Sequence, residues 1–230
     1  MLEKTCLASL IFLSLLSCNG RRVLKPLPDE NVIIGKVVSV KIFYFKAVEK
    51  FGKPEKGEFK YQRIYTYGEN GYLTEEDLLF PNDILVGRFV YKYDGQNHIK
   101  ESDNYNGDGS LGNTNMYEYD LENSRIKHES FAASDNSPMD KNISKIDRNN
   151  NIIEINSYDS RDSLKVKNIY QYDKFGNQIE RVIYHSNGEL FARYTMAYSD
   201  FDNRGNWLKQ ISFKDGKPDQ VISREINYVE

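Results

Sequence analysis

The chain has 230 residues, of which 39% are hydrophobic and 13% aromatic, with a formal net charge of -3 and a mean hydropathy of -0.67. That balance excludes a disordered chain, argues against a thick two-layer core and offers no clustered basic surface for nucleic acid. The aromatic residues are mostly tyrosine, 17 against 12 Phe and 1 Trp, which suits a half-buried sheet with apolar rings and hydrogen-bonded hydroxyls.

In chain order, the first feature is an address. Lys4 and the α-amino group precede an apolar run from Leu7 to Leu16, too short to cross a bilayer of about 30 Å but the size of a signal-peptide core. The run ends at Leu15-Leu16-Ser17-Cys18, which resembles the bacterial lipobox. The resemblance implies a lipoprotein signal peptide over 1–17, lipidation of Cys18, and a tether over 18–31 with Arg21, Arg22, Lys25, Pro26 and Pro28. Cys6 falls in the removed segment, so no disulfide is expected. Asn19 after the cysteine, rather than Asp, implies passage to the outer membrane of a Gram-negative cell, with the lipid anchor as the membrane contact.

From residue 32 to 230 the chain repeats. An aromatic or apolar anchor recurs at Tyr67, Tyr93, Tyr119, Ile146, Tyr172 and Phe201, with a degenerate last copy at Tyr228, spaced 26, 26, 27, 26, 29 and 27 residues apart. Asp follows five of the first six anchors, Gly68 being the departure. Four positions after each anchor stand Gly71, Asn97, Asn123, Asn150, Gly176 and Gly205, residue types that enter the left-handed region at least cost. A second turn signal falls at Asp83, Gly109, Asn136, Asp162, Gly188 and Gly216. Each unit is therefore two strands and two turns, and strands such as 168–172 and 179–184 alternate Ile, Val and Tyr with polar residues. Six units plus an opening pair and a closing strand predict on the order of 14 strands. The expected fold class is all-β: an antiparallel meander of tandem ~26-residue two-strand repeats forming a wide twisted, curled sheet, with rolled or barrel-like closure as the alternative. In an open sheet the terminal strands would be edges, guarded by Lys and Glu.

The Tyr170 to Asn177 stretch, Tyr-x-Tyr-Asp-x-x-Gly-Asn, resembles the YD repeat of Rhs-type proteins, and the stretches 201–207 and 215–218 are similar to small YD-repeat lipoproteins. The resemblance covers roughly residues 32–230 and implies a β-repeat architecture. Giant Rhs proteins build a shell around a toxin, for which this chain lacks the length. Carbohydrate binding is sometimes associated with YD repeats, although the motif itself names no binding residue.

The residues offer little reactive chemistry. An Asp present in nearly every unit at one turn position reads as a turn former, whereas a glycosidase needs two singular carboxylates about 5 to 9.5 Å apart. His98, His128 and His185 occupy different unit positions without Cys or acidic partners at ligand spacing, so no metal is expected. Asn104 to Gly109 fits the first half of a calcium loop, but its twelfth position is Asn115 rather than Glu, so a hairpin turn accounts for it better. The remaining candidate surface is a tyrosine ladder. Tyr91, Tyr93, Tyr117, Tyr119, Tyr170 and Tyr172, preceded by Tyr65, Tyr67 and Phe89, recur at i and i+2 on one face, and Trp207 stands near the end of the series. Such a row either holds a sugar or peptide or supports a thin sheet through cross-strand pairs. The expectation is a non-catalytic, lipid-anchored envelope module that binds a protein or glycan, needs no cofactor and does not contact nucleic acid. A purely structural envelope protein is the alternative, and a carbohydrate-active hydrolase a third reading.

Overall fold

The computed structural model describes residues 33–230; the expected signal peptide, Cys18 and the tether lie outside the described residues. Fourteen strands form one antiparallel meander: β1 Val37–Lys50, β2 Lys53–Tyr67, β3 Leu73–Phe80, β4 Ile84–Tyr93, β5 Ile99–Asn106, β6 Leu111–Asp120 and β7 Arg125–Ala132, then β8 Pro138–Ile146, β9 Ile152–Asp159, β10 Leu164–Tyr172, β11 Gln178–His185, β12 Leu190–Phe201, β13 Trp207–Lys214 and β14 Lys217–Tyr228. The sheet does not stay open. β1 pairs with β14, from Val37 opposite Tyr228 to Lys46 opposite Gln220, and the sheet closes into a barrel. The expected open sheet is thus corrected to its alternative. Closure removes two rows of unpaired N–H and C=O groups, which charged side chains at an edge would only have shielded.

The repeat turns all lie at one end of the barrel. In the turn after β10, the Asp173 Oδ1 atom accepts the backbone N–H groups of Phe175 (2.8 Å) and Asn177 (2.9 Å), while Gly176 adopts φ 87°. Asp94, Asp147 and Asp202 accept the equivalent pairs of amides. The turn after β6 departs from this plan. Six residues separate Tyr119 from its partner Ile126, against five between Tyr172 and Gln178, so Ser124 (φ 54°) takes the left-handed conformation expected of Asn123, and Asn123 instead donates its backbone N–H to Asp120 (3.1 Å). Gly71, Asn97, Asn150, Gly176 and Gly205 all have positive φ, as do the six residues of the second turn series at the opposite end.

In β4, β6, β10 and β12 a tyrosine at or near the strand's end reaches back across the preceding strand, whereas Tyr228 at the end of β14 donates to Asp202 Oδ2. The hydroxyls of Tyr93, Tyr119, Tyr172 and Tyr198 donate to the carbonyls of Leu73, Ile99, Ile152 and Gln178, at 2.6 to 2.9 Å, always 20 residues earlier. At the sixth anchor this bond identifies Tyr198, not Phe201, as the structural anchor. β12 runs three residues beyond it, through the left-handed Asp200, and leaves Phe201 exposed. Ile146 has no hydroxyl and packs with Ile126, Ile152 and Tyr170 instead.

Inside the tyrosine-turn end, Val40, Ile42, Tyr65, Leu73, Tyr91, Ile99, Trp207 and Ile222 form the larger apolar cluster. The outer wall is charged. Arg88 pairs with Asp77 (2.6 Å), Lys92 with Asp103 (2.8 Å), Lys127 with Glu129 (2.7 Å), Lys145 and Lys167 with Glu154 (2.9 and 3.1 Å) and Arg193 with Glu180 (2.6 Å). A lipid-facing barrel wall needs an apolar band about 25 Å tall, and these mid-strand charges interrupt it.

Candidate functional site

Fourteen strands enclose more space than one layer of inward side chains fills; about eight strands give a packed interior and 16 or more an aqueous channel. The alternation that puts the tyrosine ladder inside also sends polar residues inward farther along the same strands. On one side of the lumen they satisfy each other. Asn104 donates to Asn113 (3.0 Å), Asn113 to Ser130 (3.0 Å) and Asn115 to Ser102 (3.1 Å), whose hydroxyl lies 3.3 Å from that of Tyr117. His128 Nδ1 lies 3.0 Å from Asn142 Nδ2, and its ring packs on Tyr117. Burial pushes the His128 imidazole below its ordinary value, which makes it a neutral member of this network at pH 7.

On the opposite side, between β11–β14 and β1–β2, the polar groups leave a cavity of about 300 Å3. Trp207 and Gln178, the first residues of β13 and β11, stand at the tyrosine-turn end with Tyr198 and Ile42. Arg63, Arg181, Met196, Gln210 and Ser212 line its middle, and Tyr44, Tyr61, Tyr194, Asp219 and Gln220 stand toward the hairpin end. Tyr44 and Tyr61 stack at 4.3 Å between centroids, and Tyr198 lies 5.3 Å from Trp207.

Three buried polar atoms of the lining have no hydrogen-bond partner among the described residues: Arg63 Nε, Gln178 Oε1 and Trp207 Nε1. Gln178 is 5% exposed and Trp207 1%, so these groups are shut away from bulk water. A buried polar group without a partner costs about 1 to 3 kcal/mol. Arg63 Nη1 is held by Glu76 Oε1 at 3.0 Å, and Glu76 Oε2 accepts the Tyr91 hydroxyl at 2.9 Å. Arg181 donates Nε to Asn168 Oδ1 (3.0 Å), lies over Tyr170 (5.9 Å) and, among the described residues, meets no carboxylate within 4.0 Å. Behind Trp207, the Arg224 guanidinium covers the indole face at 3.8 Å and donates Nε to the Trp207 carbonyl. Burial brings the Arg224 pKa down to about 10, which leaves it charged at pH 7.

Of the residues expected to form a surface, Tyr91 and Tyr170 are buried, and Tyr93, Tyr119 and Tyr172 spend their hydroxyls on backbone carbonyls. Trp207, 1% exposed, is in the cavity wall. The lining residues Arg63, Tyr61, Gln178, Arg181, Met196 and Tyr194 were not picked out from sequence. Their signal is parity: Tyr61 and Arg63 continue the Tyr65–Tyr67 alternation, and Tyr194 and Met196 that of Tyr198. The repeated acids lie at the turns, and the calcium-like stretch 104–109 is the β5–β6 hairpin, in which Asp108 Oδ1 accepts the Ser110 N–H (2.9 Å). Among the described residues no cluster of His, Cys, Asp and Glu could hold a metal ion.

Fold and site together define an all-β repeat barrel, closed by its terminal strands, with a polar lumen and one aromatic-lined cavity. No protein-family model matches the chain, and no curated protein does. Among solved structures it is similar to a porin-like protein from Bacteroides uniformis, at 11% identity and a TM-score of 0.47 over 87% of this chain and 100% of that one. A second porin-like protein, from Bacteroides vulgatus, shares 12% identity at a TM-score of 0.39 over 84% and 99%. A LolA superfamily protein from Nitrosomonas europaea shares 8% at 0.35 over 88% and 90%.

Proposed function

We propose that this chain is a lipid-anchored, non-catalytic module of the cell envelope, a small YD-repeat barrel that binds a glycan in its lumen. The observation that carries the reading is the cavity. It offers tyrosine and tryptophan rings for stacking and three buried, unpartnered polar atoms for hydroxyl groups, the pairing of apolar faces and placed polar groups that ligand sites use. Among the described residues that line it, Asp219 is the only carboxylate, whereas acid–base hydrolysis of a glycoside needs a pair. The charged outer wall favours a barrel held at the bilayer by an anchor over one embedded in it. The described chain starts at the tyrosine-turn end, where Asn206 accepts the Ile34 N–H at 2.7 Å. Fourteen residues between Cys18 and Ile33 reach at most about 50 Å. The anchor would therefore hold that end toward the membrane and point the hairpin end away.

Two experiments test the reading. Radiolabelled palmitate should enter the wild-type protein and not the Cys18→Ser variant; label in both would remove the anchor. Titration of the purified mature protein with a defined glycan library, followed by the fluorescence of Trp207, should give a saturable change for at least one member. A flat response across the library would refute lumen binding and favour the purely structural role.

A further inference from the structure

Resting on that lumen reading, we propose that the ligand is an acidic saccharide, a sugar ring that carries one carboxylate, and that Arg181 is the residue that recognises the acid. The charges around the cavity do not cancel. Arg63 is already matched by Glu76, and Asp219 stands at the hairpin side of the lining. Arg181 lines the cavity with Nε committed to Asn168 and no carboxylate of the described residues within ion-pair distance. Its remaining N–H groups form a fork of the kind that grips a carboxylate through two parallel bonds. Arg224, with Nη2 unpartnered behind Trp207, adds a second buried positive charge to the same wall. A cavity of this sign stabilises an anion and rejects a cation.

One free fork together with the negative Asp219 fits a monoanion better than a phosphate dianion. The rest of the lining requires more than an anion. Trp207 Nε1 and Arg63 Nε donate, and Gln178 Oε1 accepts, which is the mixed requirement of a polyol rather than of a fatty or aromatic acid. Tyr198 and Trp207 supply ring faces beside those groups. A volume of about 300 Å3 lies at the small end of ligand pockets and suits one or two sugar rings.

Trp207 is the sole tryptophan and lines the cavity, so its emission reports occupancy directly. The mature protein is titrated with D-glucuronate, D-galacturonate, D-glucose and acetate at constant ionic strength. One of the uronates should bind at least tenfold more tightly than glucose and acetate. Arg181→Gln should lower uronate affinity at least tenfold more than it lowers glucose affinity, and Arg181→Lys, which keeps the charge but not the fork, should fall between. If glucose binds as tightly as both uronates, the acidic class is overturned while lumen glycan binding stands. If acetate matches the uronates, the saccharide class is overturned. No response to any of the four sugars and acids overturns this inference, and only a flat response across the whole glycan library extends the failure to lumen binding. Unchanged uronate affinity in Arg181→Gln overturns the assignment of that residue.

Discussion

Asn206 is where the last repeat turn holds the incoming chain, and its replacement by alanine gives a measure of how much the barrel gains from closing there. Its Oδ1 atom accepts the Ile34 N–H at 2.7 Å. Its Nδ2 group donates to the Ile34 carbonyl (3.0 Å), the Tyr228 hydroxyl (2.7 Å) and Asp202 Oδ2 (3.2 Å), and the residue is 2% exposed. Asn177 holds the same position one unit earlier but makes only the local side-chain bond, to Asp173 Oδ2 at 2.9 Å. Each buried hydrogen bond contributes about 0.5 to 1.5 kcal/mol net, and two N–H groups shared among three acceptors count as about two bonds. Asn206→Ala should therefore cost about 2 to 3 kcal/mol, against about 0.5 to 1 kcal/mol for Asn177→Ala. Urea unfolding of both variants and the parent, followed by circular dichroism at constant m, gives the two differences. Losses equal within about 0.5 kcal/mol would mean that Asn206 acts only within its own turn, and the clamp on Ile34 would be refuted.

Three further outcomes follow from single contacts. Tyr172→Phe removes the hydroxyl that donates to the Ile152 carbonyl (2.7 Å) and should cost about 1 kcal/mol in urea unfolding, whereas Phe201, which is exposed, should tolerate replacement by Tyr. Gly176→Val places a β-branched residue at φ 87° and should cost at least about 1 kcal/mol, a fall of about 2–4 °C in Tm; Gly176→Asn, the residue that Asn97 and Asn150 supply at the same turn position, should cost less. Glu154 provides the pH signature. Partial burial raises its pKa, but hydrogen bonds from Lys145, Asn156 and Lys167 more than reverse this and bring it to about 2. A carboxyl held below its unfolded value near 4.5 stabilises the fold above that pH, and the contribution fades as pH falls toward about 2. Glu154→Gln should thus be less stable than the parent at pH 7, by about 1 to 2 kcal/mol given the exposed lysines, and the two should converge only as pH falls through about 2.

Much of the fold was legible because strand and turn chemistry is local. The Tyr-Asp pair of residues 172 and 173 and the glycine at 176 specify a turn without reference to anything distant, and its recurrence gives strand number and meander order. Closure is not local. Nothing in 37–50 or 217–228 distinguishes two edges from two partners, since pairing depends on how sheet twist accumulates over the strands between them. The left-handed residue at Ser124 rather than Asn123, and the anchor at Tyr198 rather than Phe201, share one cause. An inserted residue or bulge shifts the geometry without altering the motif letters, although the spacing of 29 before Phe201 carried the trace of it. The ladder was assigned to one face correctly, but whether that face looks outward or into a lumen follows from closure. The cavity was invisible for the same reason: Arg63, Gln178, Arg181 and Trp207 converge only when β1 meets β14.

The lumen exists because those two strands pair, so native-state hydrogen exchange of their amides addresses the account most directly. In the closed barrel both rows of β1 and β14 amides are hydrogen-bonded, and those between Val40 and Phe45 and between Val221 and Ile226 should exchange as slowly as the amides of the interior strands β4 and β12. Alternate amides of β1 and β14 exchanging at the rates of unprotected peptides, beside protected neighbours in β2 and β13, would mean an open sheet and would remove the cavity with it.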